Sequence, residues 1–441
     1  MTQPTPPTIA IACGGTGGHL FPGLAVAEQL VKRGCAVTLL VSPKEVDQQA
    51  VKAAMERRAT ARPGDGGPAE PVLGAPMEVC TLPAVGLQNR NYFSFARSFV
   101  VSLFAARRAF RGRKPLAALA MGGFTSAPPI FAARQLGART FLHESNTVPG
   151  RANRWLSRFV DQCFVGFPQA ASRLHGRDVV VTGTPVRPQF HPRHASACRI
   201  ALGLAADRPT VLVMGGSQGA SGINDLIIRS LDCLNLLGGV VKAEQGSMGA
   251  KGTKDRPARP TTALQFFHLA GPADVEKVRH GYAEKNIHAV VHGFFADMEM
   301  ALGAATVAVS RSGASSLAEL AAVRVPSVLI PFPAATDNHQ FFNAQAFQES
   351  GAAHLLEQKN ATPENVAPAI LNLVVNAAMR EQMQLALDKW QAPRAAEQIA
   401  ETMLKLIAHG TERAGAKPRE TGGECGGGGE HRAKLREKSA A

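Results

Sequence analysis

The sequence lacks the patterns that mark disulfide-stabilised, zinc-binding or membrane-spanning proteins. Its seven cysteines are scattered over 441 residues without a Cys-x-x-Cys pair, which argues against both a disulfide framework and a zinc site. No apolar run approaches the roughly 20 residues of a membrane-spanning helix, and the Pro- and Thr-rich N-terminus lacks the charged and apolar regions of a signal peptide. We therefore expect a protein that remains in the cytoplasm and keeps its cysteines reduced.

Acidic residues are too few to balance the basic ones, and the formal net charge is +14. From Gly410 onward seven Lys and Arg residues nearly balance five Asp and Glu residues, so the charge belongs to the body of the chain. A positive body calls for an anionic partner: a nucleic acid, an anionic membrane surface or a phosphorylated substrate. The length allows two domains of ordinary size, and a hydrophobic content of 45% supports their cores.

A short apolar run followed by a cluster of glycines stands near the start of the chain. Residues 9–13 are apolar, and the stretch 14–19 holds four glycines and ends in His19. The pattern predicts a strand, a tight loop and a helix whose N-terminus suits a phosphate-like anion. Leu20 stands where a dinucleotide-binding fingerprint needs its last glycine, and no Gly-Lys-Ser/Thr follows, so neither that fingerprint nor a P-loop is present. A tight turn without a ligand is the alternative interpretation.

The combination of strand and glycine turn returns in the second half, at Gly215–Ala220. It predicts two similar doubly wound α/β domains whose glycine turns face each other across a cleft. Further strands are predicted at residues 36–41, 116–121, 139–146, 178–182, 209–214, 289–292, 306–310 and 326–330. We expect a first domain of residues 1–187, a second of residues 188–409 whose last helices can pack back on the first, and a disordered tail of residues 410–441. Lys242–Thr262, rich in Gly, Lys, Arg and Pro, is expected to be a flexible insertion.

The segment Gln88–Lys114 is strongly basic and aromatic. It holds seven cations, six aromatic residues and no acidic residue. A helix of this composition could lie on an anionic bilayer, with its aromatic residues in the interface and its arginines at the headgroups. It could equally pack its apolar face on the sheet and expose a solvated basic face. A helix of this length can do both.

Several motifs in a fixed order closely resemble the MurG family, the UDP-N-acetylglucosamine:N-acetylmuramyl-(pentapeptide) pyrophosphoryl-undecaprenol N-acetylglucosamine transferases. They are the glycine turns at 14–19 and 122–128, the His143–Asn146 stretch, Gly183–Arg187, Gly215–Ala220, Ser310–Glu319 and Asp337–Ala344. The resemblance extends from Ile9 to the helices before Gly410. It implies the GT-B architecture of two Rossmann-like domains, and inverting transfer from UDP-GlcNAc to the C4 hydroxyl of the MurNAc-pentapeptide of lipid I, forming lipid II in peptidoglycan synthesis. It also implies a peripheral membrane protein that acts at the cytoplasmic face of the inner membrane, whose surface is anionic. We expect the reaction to need neither a cofactor nor a bound metal.

The resemblance also implies roles for individual residues. On the donor side these are Arg187, Gly216, Ser217 and Gln218 at the diphosphate, Phe295 at the uracil, Gly313, Ala314, Ser315 and Ser316 around the nucleotide, Glu319 at the ribose, and His339 and Gln340 at the sugar. On the acceptor side they are Thr16, Gly17 and Gly18, with Asn146 and Asn153 as positioning groups. For single residues such as Glu319 or Arg187, a solvated surface charge is the alternative.

Inverting transfer needs a general base that takes the proton of the attacking hydroxyl. His19 is the first candidate, because imidazole titrates near neutral pH and the residue follows the glycine turn that faces the cleft. Glu144 is the second candidate, and a purely structural role for His19 stays open.

The sequence departs from the family pattern at three positions: Ser145 replaces the usual Gln, Thr184 the usual Asn, and Ala127 the usual Gly.

Four other functions agree less well with the sequence. A nicotinamide-dependent dehydrogenase should carry the missing dinucleotide fingerprint. A UDP-GlcNAc epimerase of GT-B architecture would not need the turn at 14–19 or the basic aromatic segment. A non-catalytic binding module fits poorly with intact His19, Glu144 and Asn146. Nucleic-acid binding would explain the charge, but no recognised motif accompanies it, so we expect no nucleic-acid partner.

Overall fold

The structure is a computed structural model of the chain. It describes residues 6–15, 17–44, 47–48, 51–52, 55–56, 76–83, 92–176, 178–216, 219–247 and 264–415, and for Tyr92 and residues 236–247 and 410–415 it describes the backbone alone.

The first half of the chain forms a seven-stranded parallel sheet. Its strands are β1 (Thr8–Ala12), β2 (Ala36–Val41), β3 (Met77–Thr81), β4 (Ala117–Ala120), β5 (Arg139–Glu144), β6 (Gln162–Val165) and β7 (Val179–Val181). They lie in the order β3-β2-β1-β4-β5-β6-β7, and every neighbouring pair is parallel. The helices between them are α1 (Gly17–Lys32), α2 (Tyr92–Ala109), α3 (Ala127–Gln135), α4 (Arg151–Leu156) and α5 (Pro168–Ala171), with a 3₁₀ turn at Phe124–Ser126.

The second half forms a six-stranded parallel sheet with the same winding. Its strands are β8 (Thr210–Met214), β9 (Gln265–Leu269), β10 (Ala289–His292), β11 (Val307–Ser310), β12 (Ser327–Leu329) and β13 (His354–Leu355), in the order β10-β9-β8-β11-β12-β13. Its helices are α6 (Ala195–Ala201), α7 (Ser221–Ser247), α8 (Val275–Glu284), α9 (Met298–Ala304), α10 (Ala314–Val323), α11 (His339–Glu349), α12 (Pro363–Val375), α13 (Ala377–Asp388) and α14 (Ala395–Gly415). Thr336–Asn338 and Gln358–Asn360 are 3₁₀ turns.

Both faces of each sheet are covered, which is why the central strands are apolar throughout. All residues of β1 are buried; Ile9 and Ile11 belong to one core cluster, whereas Ala10 and Ala12 belong to another on the opposite face. Parallel strands buried on both faces lose the alternation of polar and apolar residues that half-exposed strands show.

The last helix returns to the first sheet. Ala396, Ile399, Ala400 and Met403 of α14 are buried in the same cluster as Ile9. The neighbouring surface of α14 is fixed by Glu397 and Glu401, which both accept hydrogen bonds from the Arg33 guanidinium at 3.1 Å. The chain therefore crosses between the two halves a second time at its C-terminal end.

Several predicted strands differ from the structure by one or two residues at their ends, and helices extend into two segments that were expected to be flexible or disordered. Helix α7 continues to Ser247, so residues 242–247 of the expected insertion are helical. Helix α14 continues to Gly415, so residues 410–415 of the expected disordered tail are helical as well. The remainder of both stretches lies outside the described residues.

In each sheet the strand order separates the loops that follow two neighbouring central strands. In each sheet the chain turns in opposite directions from one central strand, between β1 and β4 and between β8 and β11. Ligands of doubly wound sheets bind at such switch points, outside the carboxyl ends of the strands. None of the helices within the described ranges has the length and apolar character needed to cross a bilayer.

Candidate active site

A cavity of about 790 Å³ lies between the carboxyl ends of the two sheets, a volume typical of small-molecule sites. Every proposed site residue that the structure describes lines it: Gly17, Gly18, His19, Glu144, Asn146, Asn153, Arg187, Gly216, Phe295, Gly313, Ala314, Ser315, Ser316, Glu319, His339 and Gln340. Thr16, Ser217 and Gln218 lie outside the described residues. Nowhere in the described part of the chain do three His, Cys, Asp or Glu side chains come together as a candidate metal site.

The turn after β1 brings the backbone very close to the neighbouring strand. A Cβ atom on Gly14 would lie 2.4 Å from the backbone nitrogen of Ser42, so only glycine fits there. Gly15 has a φ of +123°, and its N–H donates to the buried carboxylate of Asp47 at 2.8 Å. Because α1 begins at Gly17, its first free N–H groups lie at the cavity.

His19 lies in the first turn of α1, against the second glycine turn. A Cβ atom on Gly122 would lie only 2.7 Å from Nε2 of His19, and Gly122 has a φ of +127°. The imidazole therefore occupies space that a side chain at position 122 would take. Nδ1 of His19 is buried and has no hydrogen-bond partner among the described residues.

The surroundings of His19 keep its ring uncharged. The pKa of His19 is lowered from 6.5 to about 4, mainly by burial; the Asp47 carboxylate opposes the shift, and His339 and Lys44 add to it. A ring with this pKa is neutral at pH 7 and can accept a proton. Its low pKa also makes it a weak base, so it depends on being well placed beside the proton it removes.

Glu144 is committed to hydrogen bonds within the protein. Oε1 accepts from the backbone N–H and the side-chain amide of Asn146, at 2.8 and 3.0 Å, and Oε2 accepts from the N–H of Gly150 and the amide of Asn153, at 3.1 and 2.8 Å. Burial raises its pKa, and the four bonds oppose that rise. A carboxylate that already accepts four hydrogen bonds is better suited to orient Asn146 and Asn153 than to remove a proton.

The N-termini of two helices meet at the cavity, one from each half of the chain. Ser315, in the first turn of α10, donates from its hydroxyl to the backbone oxygen of Gly18 in the first turn of α1, at 3.0 Å. The residue that precedes α10, Gly313, gives no side-chain cap. Both helix dipoles and their free N–H groups therefore favour negative charge in the same space.

Arg187 and Glu319 are two ionisable residues on the wall of the cavity. Arg187 is only 9% exposed, and its guanidinium carbon lies 4.5 Å from the ring centroid of Phe21 and 5.0 Å from that of Phe190. Burial raises the pKa of Glu319 to about 7; Arg187 opposes the rise and Glu299 adds to it. Arg187 is thus buried and Glu319 half-buried, and both face the cavity rather than the outer surface.

Further residues that line the cavity come from the loops after β8 and β10 and from the start of α11. Gly216 has a φ of +93°. Phe295 packs edge to face on Phe267, with 5.1 Å between ring centroids. Nδ1 of His339 lies 2.7 Å from the backbone oxygen of Thr336, and the amide oxygen of Gln340 accepts from the N–H of Phe332 at 3.0 Å.

Two residues of the site were not predicted from the sequence, although both stand within quoted motifs. Arg311 lines the cavity, donates to the backbone oxygens of Ile330 and Pro331, and has its pKa lowered to about 10 by burial. Asn343 is fully buried and connects Ser312 to Asn146. A buried polar side chain cannot be distinguished from an exposed one by sequence alone, and this is why both were missed.

Two of the substituted positions are accommodated locally. The Ser145 hydroxyl lies 3.2 Å from Nδ1 of His143, whose Nε2 lies 3.1 Å from the backbone oxygen of Gly183. Thr184 is buried, and its Oγ1 would lie 2.3 Å from a Cβ on residue 166, so Gly166 makes room for it. Ala127 is buried at the start of α3.

Two parallel sheets of this winding, facing each other across a cleft lined by helix N-termini, define a GT-B glycosyltransferase. Residues 9–59 and 64–165 match the glycosyltransferase family 28 N-terminal domain, and residues 210–399 match the family 28 C-terminal domain. A curated relative from an Anaeromyxobacter species is 32% identical over 92% of this chain and 97% of its own length. The chain thus belongs to the family of UDP-N-acetylglucosamine–N-acetylmuramyl-(pentapeptide) pyrophosphoryl-undecaprenol N-acetylglucosamine transferases, or MurG.

Other comparisons agree with this assignment. A relative of the same name from Myxococcus xanthus is 32% identical over 90% of this chain and 93% of its own length. The crystal structure of Acinetobacter baumannii MurG aligns with a TM-score of 0.63 at 25% identity and covers 91% of this chain and 99% of that one. Both sequence and architecture therefore match over nearly the whole length.

Proposed function

We propose that this protein transfers N-acetylglucosamine from UDP-GlcNAc to the C4 hydroxyl of the MurNAc-pentapeptide of lipid I, with inversion at the anomeric carbon, and so forms lipid II for peptidoglycan. The observation that carries the proposal is the cavity at which the N-termini of α1 and α10 meet. A nucleotide-diphosphate leaving group gains negative charge as its bond to the sugar breaks, and preorganised N–H groups stabilise that charge more in the transition state than in the ground state.

In this mechanism the donor binds to the second half of the chain. The carboxylate of Glu319 accepts hydrogen bonds from the ribose hydroxyls, and Phe295 lies beside the uracil. Gly216 and the start of α10 bind the diphosphate. Arg187 lies close enough to Glu319 to affect its pKa, which places a fixed positive charge beside the nucleotide. His339 and Gln340 contact the transferred sugar.

The acceptor binds to the first half, at the turn before α1. Its C4 oxygen attacks the anomeric carbon, the bond from that carbon to the UDP oxygen breaks, and the electron pair leaves with UDP. The neutral ring of His19 takes the proton of the attacking hydroxyl. Glu144 acts through Asn146 and Asn153, which it holds in place. On the same grounds we assign residues 1–187 to the acceptor domain and 188–409 to the donor domain.

The direct test mixes the purified protein with UDP-GlcNAc and a short-chain lipid I analogue, and follows UDP and glycolipid together. We expect one disaccharide lipid for each UDP released. Release of UDP without a disaccharide lipid would indicate an epimerase or a hydrolase, and UDP-GlcNAc that binds without turnover would indicate a binding module.

We also propose that the protein works at the cytoplasmic face of the inner membrane and docks there through α2. One stripe of this helix is exposed and both apolar and basic: Phe93, Arg97, Val100, Val101, Phe104 and Arg108; Arg111, just beyond the end of the helix, is exposed as well. Phe93 is 84% and Phe104 60% exposed. On the opposite side Ser102 and Ala106, and Phe110 just after the helix, are buried; Ala106 and Phe110 belong to a core cluster that includes Ala10 and Ala12 of β1. Exposed aromatic residues beside arginines suit an anionic lipid surface.

Reversing two charges on this stripe should weaken membrane binding. We expect the R97E/R108E variant to bind vesicles that contain anionic lipid at least about tenfold more weakly than wild type, since each basic side chain near such a surface contributes about 1 kcal/mol. Vesicle sedimentation at low and high salt measures this. The control variant K277E/R279E changes the net charge equally on α8. Equal losses in both variants, or wild-type binding that salt does not weaken, would contradict docking through α2.

A further inference from the structure

A second set of contacts joins the two halves of the chain at the outer edge of the cleft. Asp337 precedes the sugar-side residues His339 and Gln340, and its carboxylate reaches α4 of the first half. Its Oδ1 lies 3.2 Å from Nη2 of Arg151, and its Oδ2 lies 3.2 Å from Nη2 of Arg154. One carboxylate thus binds two arginines that stand three residues apart on one face of a helix.

The backbone at this point has an unusual conformation that serves these contacts. Asp337 has a φ of +51° and Asn338 a φ of +52°, so two successive residues other than glycine adopt the left-handed region. Such residues are disfavoured and persist where surrounding contacts hold them. The N–H of Asn338 donates to the backbone oxygen of Ala335 at 2.9 Å, which closes the turn and leaves the Asp337 side chain directed across the cleft.

A buried set of hydrogen bonds lies close by and connects the same two halves. The amide oxygen of Asn343 accepts from the N–H and the hydroxyl of Thr147, both at 2.9 Å, and its amide nitrogen donates to Asn146 at 3.0 Å. The two bonds from Thr147 are buried, whereas the Asp337 carboxylate is 21% exposed and Arg151 and Arg154 are 74% and 42% exposed. The outer contacts can therefore exchange with solvent while the inner contacts stay dry.

We propose that Asp337 is a positioning residue for sugar transfer, and that it forms with Arg151 and Arg154 an ionic clasp that holds the donor loop 336–340 against helix α4. This inference deepens the function proposed above and depends on it. The same helix carries Asn153, which is bound to Glu144. Asp337 and Arg151 also line the cavity. The clasp therefore fixes the distance between the loop beside the transferred sugar and the network beside the acceptor.

The clasp predicts a particular division of kinetic effects. Donor binding alone uses the second half of the chain and should not need the clasp. Transfer needs both halves of the chain in the correct relative position, because the reacting groups of donor and acceptor must be aligned and a small misplacement slows the reaction. Removing the clasp should therefore lower kcat/KM for the acceptor and leave the dissociation constant of UDP-GlcNAc nearly unchanged.

The test compares wild type, D337N, R151Q/R154Q and the triple variant in the disaccharide assay, with donor affinity measured by calorimetry. We expect D337N to lower kcat/KM for the short-chain lipid I analogue about fivefold, the size given by two partly exposed ion pairs. The other two variants should lose the same amount, because removing either side abolishes the same interaction. Added salt should slow wild type more than D337N, because salt screens exposed ion pairs.

The matched control is D388N, which breaks the exposed ion pair between Arg324 and Asp388, at 2.6 Å, within the second half alone. It should keep wild-type kinetics. Three results would each overturn the clasp: additive losses in the triple variant, a larger loss in R151Q/R154Q than in D337N, or a fivefold loss of donor affinity. A larger loss in R151Q/R154Q would mean that the arginines bind the acceptor diphosphate directly. A wild-type protein that makes no disaccharide lipid would instead refute the proposed function.

Discussion

Replacing His19 with alanine will lower kcat by about 10²- to 10⁴-fold, the usual contribution of a general base, and will change the affinity for UDP-GlcNAc little. The reason is geometric as well as chemical. The ring is neutral, lies at the start of α1 beside the cavity, and packs against Gly122, where any side chain would clash with it. Single-turnover measurement with saturating donor and acceptor isolates the chemical step.

The pH profile adds a second check on His19. Since burial lowers its pKa to about 4, the ring becomes protonated, and stops accepting a proton, only as the pH falls through about 4. We therefore expect no loss of kcat near pH 6.5, where an exposed imidazole titrates. The control variant is H280A, because His280 is exposed on α8. An H19A enzyme that keeps more than a third of the wild-type kcat would remove His19 from the proton transfer.

Replacing Glu319 with alanine will raise the KM for UDP-GlcNAc about 30-fold and change kcat by less than about threefold, because a pair of charge-assisted hydrogen bonds to the ribose is lost in the ground state and the transition state alike. Such uniform binding appears in KM and not in kcat. Initial rates over a range of donor concentrations measure both constants.

A donor analogue serves as the control for Glu319. UDP-GlcNAc with a 2′-deoxyribose should bind more weakly than the normal donor to wild type, but equally well to E319A, which has no carboxylate to satisfy. The raised pKa of about 7 also predicts the direction of the pH dependence of donor binding. As the pH rises through 7, the carboxylate becomes charged and accepts hydrogen bonds better. Donor affinity of wild type should rise over that range, and that of E319Q should not. A variant that still distinguishes the two donors would place the ribose elsewhere.

Local sequence patterns predicted much of the fold. The strands at 36–41 and 289–292 have the bounds that the sequence indicated, because each is a short apolar run that stops at a polar or turn residue. The strands at 77–81, 162–165, 265–269 and 354–355 were not predicted. The first is a half-exposed edge strand with a mixed sequence, and the second has four residues. Their pairing with neighbours far along the chain makes them strands, and a local pattern does not contain that information.

The candidate site shows the same division. The sequence by itself determined the glycine turns, the order of strands and helices, and the residue types at the strand ends, because φ restrictions, apolar runs and helix starts are local properties. Only the tertiary structure decided which of those polar residues are committed to the protein and which are free to act. Glu144 accepts four hydrogen bonds, from Asn146 and Gly150 of the loop after β5 and from Asn153 of α4, whereas burial leaves His19 neutral. Asp337 meets Arg151 and Arg154 only because two sheets face each other. Burial, pKa and contacts across the cleft depend on distances between residues nearly 200 positions apart in the chain, and those distances exist only in the folded molecule.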